Sequence, residues 1–304
     1  MIEAAAPQVS GLQIAGVVVY AVFVWWFATG LLLALVRVPR WLHPWIMAAM
    51  TLLTAGAMVG MAATGFHTSV ASAIAAFTYA ILIWAWLELS FLYGYLTGPS
   101  RAGLAPGTIG FARFRAAFAT IAYHEVAILL ALVAVVLLTH DRPNQVGALA
   151  FLVLFAMRIS AKLNLFFGAP NLSPEFLPRH LDHLASYFEV SRVSRFFPVS
   201  VTVASLGFGF TVHAALTAVD AHHLVAMTLV ATLLGLAILE HWFLVLPVRD
   251  AALWRWALGG RPTPAAPAAP VGVTGERGAI APVSSSAAAA GPATWRAAND
   301  EGRG

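Results

Sequence analysis

Seven long apolar stretches constrain the fold of this 304-residue chain more than any other feature. They cover residues 12–36, 44–66, 70–96, 114–139, 146–167, 196–218 and 222–247. A membrane-spanning helix needs about 20 mostly apolar residues, and each stretch provides them. Only 10% of the chain is charged, against about 25% in soluble domains. The sequence therefore predicts an all-α polytopic membrane bundle of about seven transmembrane helices, with the lipid bilayer as its solvent.

The basic residues divide unequally between the two sides of this bundle. One side carries fourteen of them: Arg37, Arg40, Arg101, Arg113, Arg115, Arg179, Arg192, Arg195, Arg249, Arg255, Arg261, Arg277, Arg296 and Arg303. The other side carries only Arg142, because Arg158 and Lys162 lie within the fifth helix. Since Lys and Arg concentrate in cytoplasmic loops, we predict a multi-pass protein of the bacterial inner (intracytoplasmic) membrane. Its amino terminus would be periplasmic and its carboxyl terminus cytoplasmic.

The same distribution accounts for the net charge of +4 without a nucleic-acid partner. The composition changes after residue 258, where Pro, Ala, Gly and Ser dominate. A segment of this kind cannot bury enough apolar surface to offset the entropy lost on ordering. We therefore predict a transmembrane domain at residues 1–258 and a disordered cytoplasmic tail at residues 259–304.

Polar side chains within the predicted helices form the first candidate site. Each charge in the hydrocarbon core costs about 2.5–3.5 kcal/mol on insertion scales, so its presence requires an explanation. At about 1.5 Å of rise per residue, the charged members lie roughly 8–15 Å from the basic ends of their helices. The candidate ligand-binding or intramembrane polar cluster comprises Glu88, His124, Glu125, Arg158, Lys162, Asn164, Glu240 and His241.

Two interpretations of this cluster remain open. Ion pairs could fix which helices are neighbours, or a cavity open to the cytoplasm could bind a polar or metal-bearing ligand. Lys162 could also extend to the headgroups. The estimated depths favour a structural pair between Arg158 and Glu125. They leave Glu88, Glu240 and His241 as the functional candidates.

A metal site is the third possibility for these residues. Carboxylate and imidazole ligands suit iron, manganese or zinc, and the absence of cysteine excludes thiolate ligands. However, His124 with Glu125, and Glu240 with His241, are adjacent pairs whose side chains point about 100° apart on a helix. The Glu-x-x-His motif of di-iron bundles is also absent from the sequence. We therefore assign neither a metal ligand nor a catalytic residue.

The connection after the fifth helix forms the second candidate site. Gly168, Pro170, Pro174 and Pro178 indicate a rigid turn that includes Asn171. An amphipathic interfacial helix is predicted near residues 178–195. Its apolar face would carry Leu181, Leu184 and Phe188, and its polar face His180, His183 and Tyr187. The two histidines could hold a metal or the magnesium of a chlorin, or they could be polar interface residues.

This segment resembles a known family. The run Lys162-Leu-Asn-Leu-Phe-Phe-Gly-Ala-Pro-Asn171, with Phe176-Leu-Pro178 and His180-Leu181 through Ser186-Tyr-Phe188, is similar to the signature of the PuhE family. That family is photosynthetic complex assembly protein 2 of anoxygenic purple bacteria. The similarity extends over roughly residues 10–255 and agrees with the seven-helix plan.

The resemblance implies a role in assembling the reaction centre and its light-harvesting partners, or in modulating bacteriochlorophyll supply. Partners would be subunits of those complexes or pigment-synthesis proteins, and a bound cofactor would be bacteriochlorophyll or a precursor. It implies no catalytic mechanism, so we expect a non-enzymatic assembly factor. The alternatives are a membrane enzyme that acts on a tetrapyrrole or lipid through the carboxylate and histidine cluster, and a transporter or sensor.

Overall fold

The computed structural model describes residues 10–171, 176–248 and 250–258. Seven long helices follow one another, and no strand occurs in these ranges: α1 Gly11–Leu35, α2 His43–Thr64, α3 Val70–Leu92, α4 Gly110–Thr139, α5 Val146–Phe167, α6 Phe196–Leu216 and α7 Ala221–Phe243. All seven are long and apolar enough to cross a membrane. The predicted all-α bundle is confirmed, and the predicted tail at 259–304 lies outside the described residues.

The central helices are α3 and α7. Half of the most apolar window of α3 and 61% of that of α7 are buried within the protein. Small residues such as Ala73, Ala76 and Ala80 on α3 allow its neighbours to approach closely, and Phe77 and Phe151 fill the core between α3 and α5. The other five helices surround this pair and expose most of their apolar surface.

Three helix ends differ by four residues from the hydropathy windows, and one is the end of α7, at Phe243 instead of residue 247. Helix α3 ends at Leu92, four residues early. It ends there because Gly94 adopts φ +79° and Ser90 O accepts the N–H groups of both Tyr95 and Leu96. Helix α4 begins at Gly110, four residues early, and its 30 residues span about 45 Å, which exceeds the hydrocarbon thickness.

One end of the bundle, which we call the basic end, is formed by residues 36–42, 93–109, 168–171, 176–195, 244–248 and 250–258. The opposite end has short connections joined by neutral hydrogen bonds. There the buried Asn144 side chain donates from Nδ2 to the carbonyls of Thr64 and Ser72, both at 3.1 Å. His222 Nδ1 lies 3.0 Å from Ser69 O and donates to it. These contacts join the α2–α3, α4–α5 and α6–α7 connections.

A short segment after α7, residues 250–258, packs against α1 at the basic end. The Trp254 indole Nε1 donates to Trp26 O, and the Trp26 indole Nε1 donates to Leu253 O, each at 2.9 Å. The ring of Trp256 covers Gly30 so closely that a Cβ there would lie 2.1 Å from it. Hydropathy windows do not reveal this segment because it is too short to span a membrane.

Candidate functional site: a polar cluster around the fifth helix

Helix α5 carries a polar residue at every second position near its basic end: Arg158, Ser160, Lys162 and Asn164. Two positions along an α-helix correspond to a rotation of about 200°, so consecutive members point to opposite sides. Arg158 and Lys162 face α3 and α4, whereas Ser160 and Asn164 face α7 and α6. Four residues therefore connect α5 to four neighbouring helices.

The first side of α5 forms two ion pairs. Arg158 Nη2 donates to Glu88 Oε2 at 2.8 Å, and their side chains are 35% and 13% exposed. Lys162 Nζ pairs with Glu125 Oε1, and these side chains are 20% and 15% exposed. These contacts join α3 and α4 to α5 within the bundle, and each charge lies opposite its partner.

The predicted pairing of Arg158 with Glu125 is therefore wrong. The prediction matched residues by depth alone, whereas the rotation of each helix about its axis decides which neighbour a side chain meets. Lys162 lies one turn closer to the end of α5 than Arg158, and it meets Glu125. Glu88 is the ion-pair partner of Arg158. The sequence analysis had instead placed Glu88 among the functional candidates.

The second side of α5 uses neutral hydrogen bonds. His241 of α7 is 1% exposed, and its Nδ1 donates to Ala237 O at 2.8 Å. Its Nε2 is therefore the acceptor, and it receives the hydroxyl of Ser160 at 2.9 Å. Asn164 is also buried, and its Nδ2 donates to Ser200 Oγ of α6 at 3.0 Å.

Glu240 points away from its neighbour His241. Its Oε1 accepts the indole N–H of Trp25 at 2.8 Å on the exposed side between α1 and α7. The three functional candidates Glu88, Glu240 and His241 have separate partners, Arg158, Trp25 and Ser160 respectively. Their functional role stays a prediction. Within residues 10–171, 176–248 and 250–258, no three His, Asp or Glu side chains are grouped as metal ligands.

His124 is the most deeply buried ionisable residue of the cluster, with no exposed surface. Its ring lies 4.6 Å from that of Phe91, one turn from Glu88 on α3. Neither ring nitrogen has a hydrogen-bond partner among the described residues, and the same is true of Glu88 Oε1, Arg158 Nε and Asn164 Oδ1. An unsatisfied buried polar group costs about 1–3 kcal/mol. These atoms are the unpaired part of the cluster within the described residues.

A connection that the sequence analysis did not single out covers this part of the cluster. The backbone N–H of His124 donates to Thr97 O at 2.9 Å, and Ser100 N donates to Ala119 O at 3.2 Å. A Cβ on Gly98 would lie 2.2 Å from Ala119 O, so only glycine fits against α4 there. The α3–α4 connection thus packs directly on the middle of α4, beside His124.

The Gly-Ala-Pro-Asn turn after α5 holds three helix ends together. Asn171 Nδ2 donates to the carbonyls of Phe243 and Val248 at 2.6 and 2.9 Å, and its backbone N–H donates to Leu244 O at 3.0 Å. Gly168 accepts from Ser194 N at 2.9 Å just before α6. Pro170 is exposed between these contacts. Asn171 therefore satisfies carbonyl groups at the end of α7.

The predicted amphipathic helix near 178–195 is a shorter 3₁₀ helix, Arg179–Tyr187. With three residues per turn, Leu181, Leu184 and Tyr187 share its buried face. Placing Tyr187 with the histidines was wrong, because its side chain is buried and its hydroxyl donates to Ala102 O at 3.0 Å. His180 and His183 share another face and are partly exposed.

Together, the fold and the cluster define a polytopic helical membrane protein whose helices are joined through intramembrane ion pairs and hydrogen bonds. The chain belongs to the family described as "Protein of unknown function (DUF3623)", which matches residues 12–265. It is 38% identical over 248 residues to a Rhodobacter capsulatus protein named "Uncharacterized 30.4 kDa protein in puhA 5'region". The alignment covers 80% of this chain and 90% of that relative. No solved structure matches the chain.

Proposed function

We propose that the protein is a membrane assembly factor for the bacterial photosynthetic complex. It acts on reaction-centre or light-harvesting subunits, or on the supply of bacteriochlorophyll to them. The observation that carries this proposal is the 38% identity to a protein named for the puhA region. That name shares its prefix with the PuhE family, which the Gly-Ala-Pro-Asn segment resembles.

The geometry of the polar cluster supports a scaffold. Arg158 pairs with Glu88, and Lys162 pairs with Glu125. Each of these contacts crosses from one helix to another, so the charges specify the order in which helices pack. A protein that holds apoproteins or pigments during assembly needs a fixed helix arrangement more than it needs a reactive group.

Orientation is part of the proposal. The inner membrane, a periplasmic amino terminus and a cytoplasmic basic end follow from the distribution of basic residues between the loops. A reporter fused after Gly260 is expected to behave as cytoplasmic, and one inserted in the 140–144 loop as periplasmic. Signals of the reverse kind would overturn this orientation.

A membrane enzyme acting on a tetrapyrrole or lipid is the second candidate, and His124 favours it. Its two ring nitrogens are buried, unpaired among the described residues and close to both ion pairs. A neutral imidazole in that position has one donor and one acceptor for a bound substrate. The observation distinguishes His124 from His241, whose ring nitrogens both have partners.

Deletion of the gene in its native bacterium tests both candidates. Complementation with wild type should restore the near-infrared absorbance of the photosynthetic complexes and their subunit content. An assembly factor predicts lost complexes without accumulation of one chemical intermediate, whereas an enzyme predicts that one precursor accumulates. Unchanged complexes and unchanged pigment in the deletion strain would overturn the proposed function.

His124→Phe separates the two candidates in the complemented strain. Phenylalanine preserves the ring contact with Phe91 and removes both nitrogens. A scaffold predicts normal protein level and normal complex yield. Normal protein level with an accumulated precursor would favour the enzyme. His241→Phe is the matched control, because it removes an imidazole that is already hydrogen-bonded to Ser160.

A further inference from the structure

Three segments converge on the end of α3 at Tyr93 and Gly94. The His43 ring, from the start of α2, stacks on the Tyr93 ring with centroids 3.8 Å apart and planes 3° apart. Arg101 Nη2, from the α3–α4 connection, donates to Gly94 O at 3.4 Å. The His180 ring, from the 3₁₀ helix, lies so close to Gly94 that a Cβ there would be 3.1 Å away. Cationic or ionisable groups from distant parts of the chain thus meet at one place.

The charges at this place are unbalanced. Burial, followed by the positive charge of Arg40, lowers the pKa of His180, and Arg101 and His43 lower it further. Burial also lowers the pKa of His183, with a smaller contribution from Arg101. The negative charge of the exposed Asp182 raises the pKa of His183, but by less than Arg101 lowers it. Among residues 10–171, 176–248 and 250–258, no carboxylate is paired with Arg40 or Arg101.

The accessible groups form a shallow basic surface. Arg40 and Arg101 are exposed, and His180 and His183 are half-buried between them. The two histidines lie three residues apart in a 3₁₀ helix, so their rings emerge from the same face. Guanidinium groups pair well with the oxygens of phosphate. The histidines contribute less directly, because Nε2 of His180 is buried against Gly94 and each ring is already hydrogen-bonded to a backbone carbonyl, His180 to Leu92 and His183 to His180.

The neighbouring tryptophans place this surface at the level of lipid headgroups. Trp41 and Trp45 are 70% and 73% exposed; Trp41 follows Arg40 directly, and Trp45 lies two residues after His43. Exposed tryptophans of membrane proteins concentrate at the bilayer interface. Basic pockets between transmembrane helices at that level bind anionic headgroups. A lipid phosphate therefore fits this position better than a phosphate from solution.

We propose that the exposed Arg40 and Arg101 bind the phosphate group of an anionic lipid, at a site bordered by His180 and His183. His43 and Gly94 shape the floor of this site through their contacts with Tyr93 and His180. The inference rests on the basic end alone and is independent of the proposed role in photosynthetic assembly.

Binding of fluorescently labelled phosphatidylglycerol to the detergent-solubilised full-length chain tests the proposal. The double variant Arg40→Gln/Arg101→Gln should weaken binding by about tenfold or more, because each basic residue near a headgroup contributes on the order of 1 kcal/mol. The matched control is Arg192→Gln/Arg195→Gln, which removes the same charge from exposed residues of the same end. The control should stay within about twofold of wild type.

Two further arms identify the source of the phosphate. Labelled phosphatidylcholine, which is zwitterionic, should bind wild type and the double variant equally. Millimolar inorganic phosphate should not displace phosphatidylglycerol, and displacement would overturn the lipid assignment. Equal weakening by both double variants would show only general attraction to a basic surface and would overturn the site. Binding unchanged in Arg40→Gln/Arg101→Gln would overturn it as well.

Discussion

The two ends of the bundle join their helices by different interactions. At the opposite end, Asn144 and His222 tie three short connections together through neutral bonds to backbone carbonyls. Towards the basic end, the pairs Arg158–Glu88 and Lys162–Glu125 join α5 to α3 and α4. The neutral contacts satisfy every polar atom of Asn144, whereas the charged region leaves Glu88 Oε1 and Arg158 Nε buried and unpaired among the described residues.

This difference in hydrogen-bond satisfaction predicts different responses to substitution at the two ends. A satisfied amide at a turn fixes the connection and leaves no side-chain polar atom without a partner. A partly satisfied ionic cluster holds helices together and retains donors and acceptors for another group. Changes at the opposite end should therefore affect folding alone, whereas changes to the two ion pairs should affect folding, complex yield or both.

The largest effect is expected from breaking the Arg158–Glu88 pair. Arg158→Leu should strand the Glu88 carboxylate and destabilise the protein by up to about 3 kcal/mol. We take the lower end of the range for breaking a buried pair, because the Arg158 side chain is 35% exposed. Thermal unfolding in detergent measures the loss. Adding Glu88→Gln should recover much of it, and adding Glu125→Gln should not, because that change leaves Lys162 unpaired. Recovery by Glu125→Gln would contradict the observed pairing.

A smaller loss is expected at the opposite end. Asn144→Ala removes the donors to Thr64 O and Ser72 O and should cost about 1–3 kcal/mol. Complex yield per molecule of folded protein should stay at the wild-type level. The comparison between the two ends would fail if yield fell while unfolding temperature and protein level were unchanged.

The docked segment 250–258 provides a third test, which uses two truncations. Ending the chain after Val248 removes Trp254, with its reciprocal hydrogen bonds to α1, and should cost about 1–2 kcal/mol. Ending it after Gly259 retains those contacts and is expected to leave stability and membrane insertion intact. Unfolding temperatures of both truncated proteins measure the difference. Equal stability of the two would show that the docked segment contributes nothing.

Hydropathy was sufficient to predict the number and type of helices, because spanning length and apolar composition are properties of single segments. The bounds of α5 were predicted without error. The end of α3 was not, since the left-handed Gly94 lies within an apolar stretch. Leu181, Leu184 and Tyr187 are spaced three residues apart, which is the period of a 3₁₀ helix. The sequence analysis interpreted this segment as an α-helix and therefore placed Tyr187 on the wrong face.

The polar cluster was predicted as a set of residues more successfully than as a set of pairs. Depth along a helix is readable from sequence, but the rotation of each helix about its axis depends on packing against its neighbours. The sequence therefore brought Glu88, His124, Glu125, Arg158 and Lys162 to one region and chose the wrong partner for Arg158. The contacts of Asn171 with carbonyls of residues 243, 244 and 248 depend on the same tertiary packing.

The smallest effect concerns His180 at the basic end. Burial and the charge of Arg40 hold its pKa below the ordinary value of 6.5, so the folded protein keeps this ring neutral where the unfolded chain takes up a proton. The stability contributed by the neutral ring is therefore present above pH 6.5 and is lost as the pH falls below that value. Arg40→Gln removes one cause of the shift and should raise the His180 pKa towards 6.5. Histidine-selective NMR titration in detergent measures the His180 pKa. Arg142→Gln at the opposite end is the control, which should leave the His180 pKa unchanged.

Phosphatidylglycerol should raise the His180 pKa in wild type, because a bound phosphate favours the protonated ring. A His180 pKa that responded equally to Arg40→Gln and Arg142→Gln would show that net charge, rather than the local arrangement at the basic end, determines the shift.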